Sequence, residues 1–219
     1  MPPDTATTMG IRDEVAALKR ERTIAVAVEL FYDRGYENTA LDAIAERMSV
    51  TKPFIYGYFS SKAELLGEIC ARGIASALEA LEGVSPAAGP PEVRLALIGR
   101  RFVAAVLNNQ RSIAIFAREE KNLAEADFRR ISDMRRRFDR TLTALLDEGV
   151  ASGAFRLADT RVAALAIGGM VSWAYVWYRS NGRLTLDQTC DALAALILAM
   201  AGAALPAAPI RRAGPRRRR

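Results

Sequence analysis

The 219-residue chain contains no histidine. That removes the commonest general base and the commonest metal ligand, which argues against most hydrolytic and metal-dependent enzymes. Cysteine is nearly absent: Cys70 and Cys190 stand far apart, with no metal-ligand or redox spacing. No phosphate-binding glycine loop and no nucleophile motif occurs, so the chain reads as a non-enzyme that requires no cofactor. The N-terminus lacks the charged region, apolar core and cleavage site of a secretory leader, which makes a reducing cytoplasm the expected compartment. Long apolar runs are scarce too. Val162 to Tyr178 is uncharged but rich in Gly, Ser and Tyr, and the run after residue 192 is broken by Pro206 and Pro209. A membrane span needs about 20 strongly apolar residues. A membrane anchor formed by 192–205, with the arginine tail inside, stands as the alternative reading.

Charge is also less abundant than it first looks. The formal net charge is +6, yet the last nine residues, RRAGPRRRR, hold six arginines, and without them the chain is neutral. Residues 12–65 carry eight Lys/Arg against nine Asp/Glu. Any nucleic-acid binding in that region must rest on the placement of charge, not its sum.

What is present is helical periodicity throughout. Hydrophobic residues make up 51% of the chain, enough for an all-α protein with a sizeable core. Residues 1–12 read as a disordered arm, 13–65 as a small helical head, 66–205 as a larger helical body, and 206–219 as a disordered basic tail. Helix one is expected from about Asp13 to Arg34, with Ile24, Val28 and Phe31 on its core face and Gly35 after it.

The head centres on NTALDAIAERMSVTKPFIYGYFSSK, residues 38–62. Thr39 with Asp42 has capping-box spacing, and Leu41, Ile44, Ala45 and Met48 recur at helical spacing. Thr51 is placed to cap the next helix, with Pro53 tolerated in its first turn. Ser61 with Glu64 opens a third. Two short helices around a tight turn form a helix-turn-helix, whose second helix can enter the DNA major groove. In that helix Ile55 and Phe59 are expected to pack inward. Lys52, Tyr56, Gly57 and Tyr58 are left toward DNA, and Lys62 adds a charge at the next helix start. Lys19, Arg20 and Arg22 lie where they would reach flanking phosphates.

The run TKPFIYGYFSSKAELL resembles the DNA-binding domain of the TetR family of bacterial repressors, and the likeness covers roughly residues 19–70. It implies DNA contacts, mostly to phosphates, from Thr39, Lys52, Tyr56, Tyr58 and Lys62, within a surface that also includes Lys19, Thr51, Pro53 and Gly57. Ser49 departs from the pattern, standing where the family usually has a turn glycine.

Helices in the body are expected over 61–82, 92–108, 111–118, 126–152, 159–180 and 186–204. The arginines of the fourth, from Arg129 to Arg140, read as a solvated face. The last two helices are apolar nearly all round, so a partner is expected, most simply a second copy, with Ala174 on the buried face. The resemblance implies the same homodimer. Phe102, Val106, Ile113, Phe116, Met134, Phe138, Met170, Trp173 and Trp177 are candidate liners of an effector site in the body. ISDMRRRFDRTLTALLDEGVASGAF, Trp173-x-x-x-Trp177-Tyr178 and NGRLTLDQTCDALAALIL resemble a subgroup that controls fatty-acid or sterol breakdown and includes sensors of acyl-CoA thioesters. That resemblance implies an acyl chain in the body and phosphates near Arg118 or Arg179.

Overall fold

The computed structural model describes residues 10–203. Residues 1–9 of the arm expected over 1–12, residues 204 and 205, and the basic tail at 206–219 lie outside the described residues, whereas Ile11 and Arg12, expected in the arm, already belong to the first helix. Every regular element among the described residues is helical. The head comprises α1 (Ile11–Arg34), α2 (Leu41–Met48), α3 (Lys52–Tyr56) and the start of α4 (Lys62–Glu82). The body follows as α5 (Pro91–Asn108), α6 (Gln110–Glu119), α7 (Glu125–Ala151), α8 (Thr160–Ser172), α9 (Ala174–Trp177) and α10 (Leu186–Met200). Short 3-10 turns at Pro86–Ala88 and Glu120–Asn122 join α4 to α5 and α6 to α7.

Caps set several of these boundaries. The side chain of Asp159 accepts from Val162 N at 2.9 Å and starts α8. Thr185 and Gln188 form a reciprocal capping box, at 3.2 and 3.0 Å, and start α10. The Ser61 hydroxyl accepts from Glu64 N at 3.1 Å. The return leg differs from expectation. The Glu64 carboxylate accepts from Ser60, from its backbone N–H at 2.7 Å and its hydroxyl at 2.6 Å. Those bonds hold the carboxyl below the usual carboxylate range.

One expected helix is broken. Instead of running 159–180, the chain turns at Trp173, resumes as α9 and leaves the helical region at Tyr178, where ψ is 138°. Gln110 of α6 stabilises the break by donating to the carbonyls of Tyr175 and Tyr178, at 3.0 and 3.1 Å, which α9 leaves free.

The buried apolar residues form two clusters, and α4 runs through both. Leu65, Leu66, Ile69, Cys70 and Ala71 complete the head core together with Ile24, Phe31, Ile44, Ile55 and Phe59. Ile115 of α6 and Ile131 of α7 join this cluster, so the body buttresses the head. Further along α4, Ala77, Leu78 and Leu81 belong to the body core of α5, α7, α8 and α10. Polar ties follow the same route. Arg20 of α1 reaches Glu68 of α4 at 3.2 Å, Arg72 reaches Glu21 at 2.8 Å, and Arg137 of α7 reaches Glu82 at 2.9 Å. Part of the arginine row expected as a solvated face therefore fastens α7 to α4. At Gly67 the two helices come so close that a Cβ would run into the Asp127 carboxylate. Both thiols are buried and unpaired, and burial pushes Cys70 up to about 12, so it behaves as a small apolar side chain.

Candidate nucleic-acid interface

The site rests on how α2 and α3 are held. Gly35, at φ 86°, turns the chain out of α1. Thr39 was expected to cap α2 and to touch DNA. Instead its side chain is 1% exposed, and its hydroxyl donates to the Gly35 carbonyl at 2.8 Å. It braces the α1–α2 corner, a use of the hydroxyl that burial enforces because an unpaired polar group there is costly. Ala40 takes the N-cap position of α2 with no side-chain cap, which leaves the first-turn N–H groups of α2 open to an anion.

The turn between α2 and α3 pivots on Ser49, which sits at φ 56°, ψ 42° in the left-handed region. Val50 N donates to the Ala45 carbonyl at 3.0 Å, and Ser49 N to that of Glu46, also at 3.0 Å. This closes a Schellman-type end that the family pattern fills with glycine. Serine holds it at some conformational cost.

Beyond the turn α3 behaves as its spacing predicted. Ile55 and Phe59 are fully buried, and Tyr56 is 47% exposed beside an exposed Lys52. Thr51, Pro53 and Gly57 are exposed too, whereas Tyr58 is half-buried against Phe54, with ring centroids 5.3 Å apart. The helix ends at Tyr56, so Gly57 and Tyr58 belong to the turn that follows it. Lys19 of α1 lies 5.7 Å above the Phe54 ring, which brings its charge to the same side. Arg20, by contrast, is engaged inward with Glu68 and stacked 4.9 Å from the Phe59 ring.

Two lysines define the charge of the surface. Lys52 Nζ pairs with Asp42 at 2.9 Å, and this carboxylate raises the lysine above its ordinary value. Lys62 Nζ donates to the Tyr36 carbonyl at 3.0 Å and lies 4.2 Å from that tyrosine's ring, so it ties the start of α4 to the α1–α2 corner. A groove of about 540 Å³ runs between them, bordered by Thr39, Asp42, Lys52, Tyr56, Ser61 and Lys62. The open end of α2, two cations and a phenol on one rim can hold a phosphate backbone through charge-assisted bonds. Asp42, expected only as a capping-box partner of Thr39, stands in the first turn of α2 and shares this surface.

The candidate effector liners do not converge on one open space. Phe102, Val106 and Phe138 are buried, with the two rings 4.7 Å apart, while Ile113, Phe116, Met134 and Met170 are half-buried. Trp173 and Trp177 are 62% and 48% exposed on the outer surface, because the break at Trp173 rotates them away from the interior. Arg118 instead borders a cleft of about 530 Å³ with Lys121, Leu123 and Phe128. Arg179 is turned back onto the carbonyls of Val176 and Tyr178. As for the membrane alternative, α10 stops at Met200, and no helix among the described residues is long and apolar enough to cross a membrane.

Comparison with known proteins agrees with this geometry. Residues 24–69 match the family described as bacterial regulatory proteins, tetR family, and residues 88–201 match the tetracyclin repressor-like C-terminal domain. Over 183 residues the chain is 26% identical to the HTH-type transcriptional repressor KstR2 of Rhodococcus jostii (strain RHA1), covering 82% of this chain and 89% of that protein. A bacterial regulatory protein in the tetR family from Rhodococcus RHA1 has the same fold. Its TM-score is 0.76 at 26% identity, over 85% of this chain and 98% of that one. AibR, solved in complex with isovaleryl coenzyme A and operator DNA, gives a TM-score of 0.68 at 25% identity, over 81% and 97% of the two chains.

Proposed function

The chain belongs to the TetR family of bacterial regulatory proteins, a DNA-binding regulator and not an enzyme, and from that premise we propose that it is a homodimeric transcriptional repressor. It binds a near-palindromic operator and leaves it when a small apolar effector, an acyl-CoA thioester, occupies the body. The observation that carries the DNA-binding half is the build of α3 and its turn: Lys52 and Tyr56 project from a helix anchored by the fully buried Ile55, with the fully buried Phe59 anchoring the turn that follows. Such a helix presents its contacts on a rigid base and loses little order on binding. Lys52 trades Asp42 for a phosphate or a base edge, Tyr56 donates to a phosphate, and Lys19 meets the flanking backbone.

A second surface supports the dimer. Val162, Leu165, Trp173 and Trp177 of the α8–α9 segment and Leu196 and Met200 of α10 are all more than a third exposed. So large an apolar surface on the two closing helices suits a second copy of itself. A two-fold axis there gives two α3 helices, which must fall roughly 34–36 Å apart to meet successive major grooves. Release follows from α4, which is packed in both cores. An effector that prefers a shifted α4 in the body also moves the head, and operator affinity falls by the ratio of its affinities for the two states. The acyl-CoA class is supported by AibR, solved with isovaleryl coenzyme A, and by the cleft where Arg118 and Lys121 stand beside Leu123 and Phe128.

Footprinting of the purified protein on DNA around its own gene, with and without acyl-CoA thioesters of several chain lengths, tests this reading. The expected result is protection of a near-palindrome that a thioester abolishes. Protection that persists at saturating thioester discards the effector class. An absence of protection there and across the genome's other upstream regions, footprinted in the same way, discards the repressor.

A further inference from the structure

At the end of the body farthest along α4 from the head lies a cleft of about 340 Å³, walled by Leu81, Val84, Pro86, Ile98 and Leu145, with the Thr141 hydroxyl among them. One cation enters it. Arg94 of α5 has a side chain only 8% exposed, and its buried Nε has no hydrogen-bond partner. Its guanidinium pairs across the cleft with Glu148 of α7, whose side chain is 53% exposed. The second carboxylate of the wall, Glu82, is already held by Arg137 at 2.9 Å.

This is an unbalanced arrangement for an ion pair that only joins two helices. A buried guanidinium demands an anion, and its planar fork can serve a carboxylate with two parallel donors. The anion supplied by the chain is half in water, so its release costs little. The remaining lining is apolar. We infer that the cleft is a binding site for a small amphiphilic carboxylate, a medium-chain alkyl acid, whose carboxylate replaces Glu148 on Arg94 and whose chain covers Leu81, Ile98 and Leu145. The site is separate from the Arg118 cleft. Leu81 and Glu82 form the last turn of α4, so an occupant presses on the helix that continues into the head core. That regulatory consequence rests on the reading of an effector-released regulator; the binding itself does not.

The test is calorimetric titration of the full-length protein with octanoate and, as a neutral match of equal chain length, octanol. Octanoate is expected to bind at least tenfold tighter than octanol. Arg94→Met is expected to abolish that preference, and Glu148→Gln, which removes the competing carboxylate, is expected to tighten octanoate at least threefold. Equal affinity for the two ligands, no measurable heat with octanoate, or no gain in Glu148→Gln overturns the site. Circular dichroism checks each variant's fold. Should Arg94→Met fail to fold, Glu148→Gln decides alone, since a purely structural ion pair predicts no gain from it. Footprinting is scored separately: a protein that protects no DNA yet binds octanoate in this pattern sinks the regulator and keeps the site.

Discussion

At the scale of single residues, the polar groups of the head divide into those that face out and those the fold uses. Thr39 and Lys62 have the chemistry of phosphate ligands, yet one donates to the Gly35 carbonyl and the other to that of Tyr36. Both secure the corner that aims α2. Lys52 faces out but is paired with Asp42. If the groove takes the phosphate backbone as proposed, a carboxylate in it costs affinity twice, by occupying the lysine and by repelling the phosphate. Asp42→Asn is therefore expected to raise affinity for DNA of any sequence by roughly threefold to tenfold at low salt, a gain that shrinks as salt screens it. The double variant with Lys52→Ala is expected to lose most of that gain. Fluorescence anisotropy on operator and scrambled duplexes measures it, and unchanged affinity in Asp42→Asn places the phosphate path elsewhere.

At the scale of elements, the turn between α2 and α3 and the long α4 matter most. Ser49 is the only non-glycine residue at positive φ among the described residues. The turn is held by two backbone hydrogen bonds that glycine makes without a Cβ penalty. Ser49→Gly is expected to stabilise the protein by about 0.5–1 kcal/mol, the relief of left-handed strain less the extra entropy of an unfolded glycine. That corresponds to a rise in Tm of roughly 1–4 °C by differential scanning calorimetry. A lower Tm means that the serine hydroxyl contributes more than the strain removes. The break between α8 and α9 was not legible. Gly168 and Gly169 weaken the helix, yet no proline or capping residue in AIGGMVSWAYVWY marks an end at Trp173; the hydrogen bonds from Gln110, 65 residues earlier in the chain, stabilise the ending.

At the scale of the whole molecule, the proposed dimer rests on the outer surface of α8, α9 and α10. Ala174, expected between subunits, is fully buried within the protomer, so an arginine there unfolds the body and reports nothing about a dimer. Leu165, 54% exposed, is the better probe. Leu165→Arg is expected to halve the mass seen by multi-angle light scattering while the helical circular dichroism of the protomer is kept. A dimer of normal mass moves the interface off α8. Dimer loss is also expected to weaken operator binding by at least tenfold, because two heads on one duplex act at a high effective concentration.

The sequence by itself determined the all-α class, most helix boundaries, the helix-turn-helix and the inward pair Ile55 and Phe59. Each depends on local periodicity, capping and turn chemistry, which neighbouring residues carry. The family was legible for the same reason, since TKPFIYGYFSSKAELL is a short contiguous run. Only the tertiary structure decided that Thr39 turns inward, that Lys62 is tied to the Tyr36 carbonyl at the groove's rim, that Asp42 shares the groove with Lys52, that Trp173 and Trp177 lie outside, and that Arg94 is buried in a cleft. Those outcomes are set by partners distant in sequence: Tyr36 for Lys62, Gln110 for the break at Trp173, Glu148 for Arg94. A polar side chain goes where its hydrogen bonds and charge are best met, and that place exists only once separate helices have packed together.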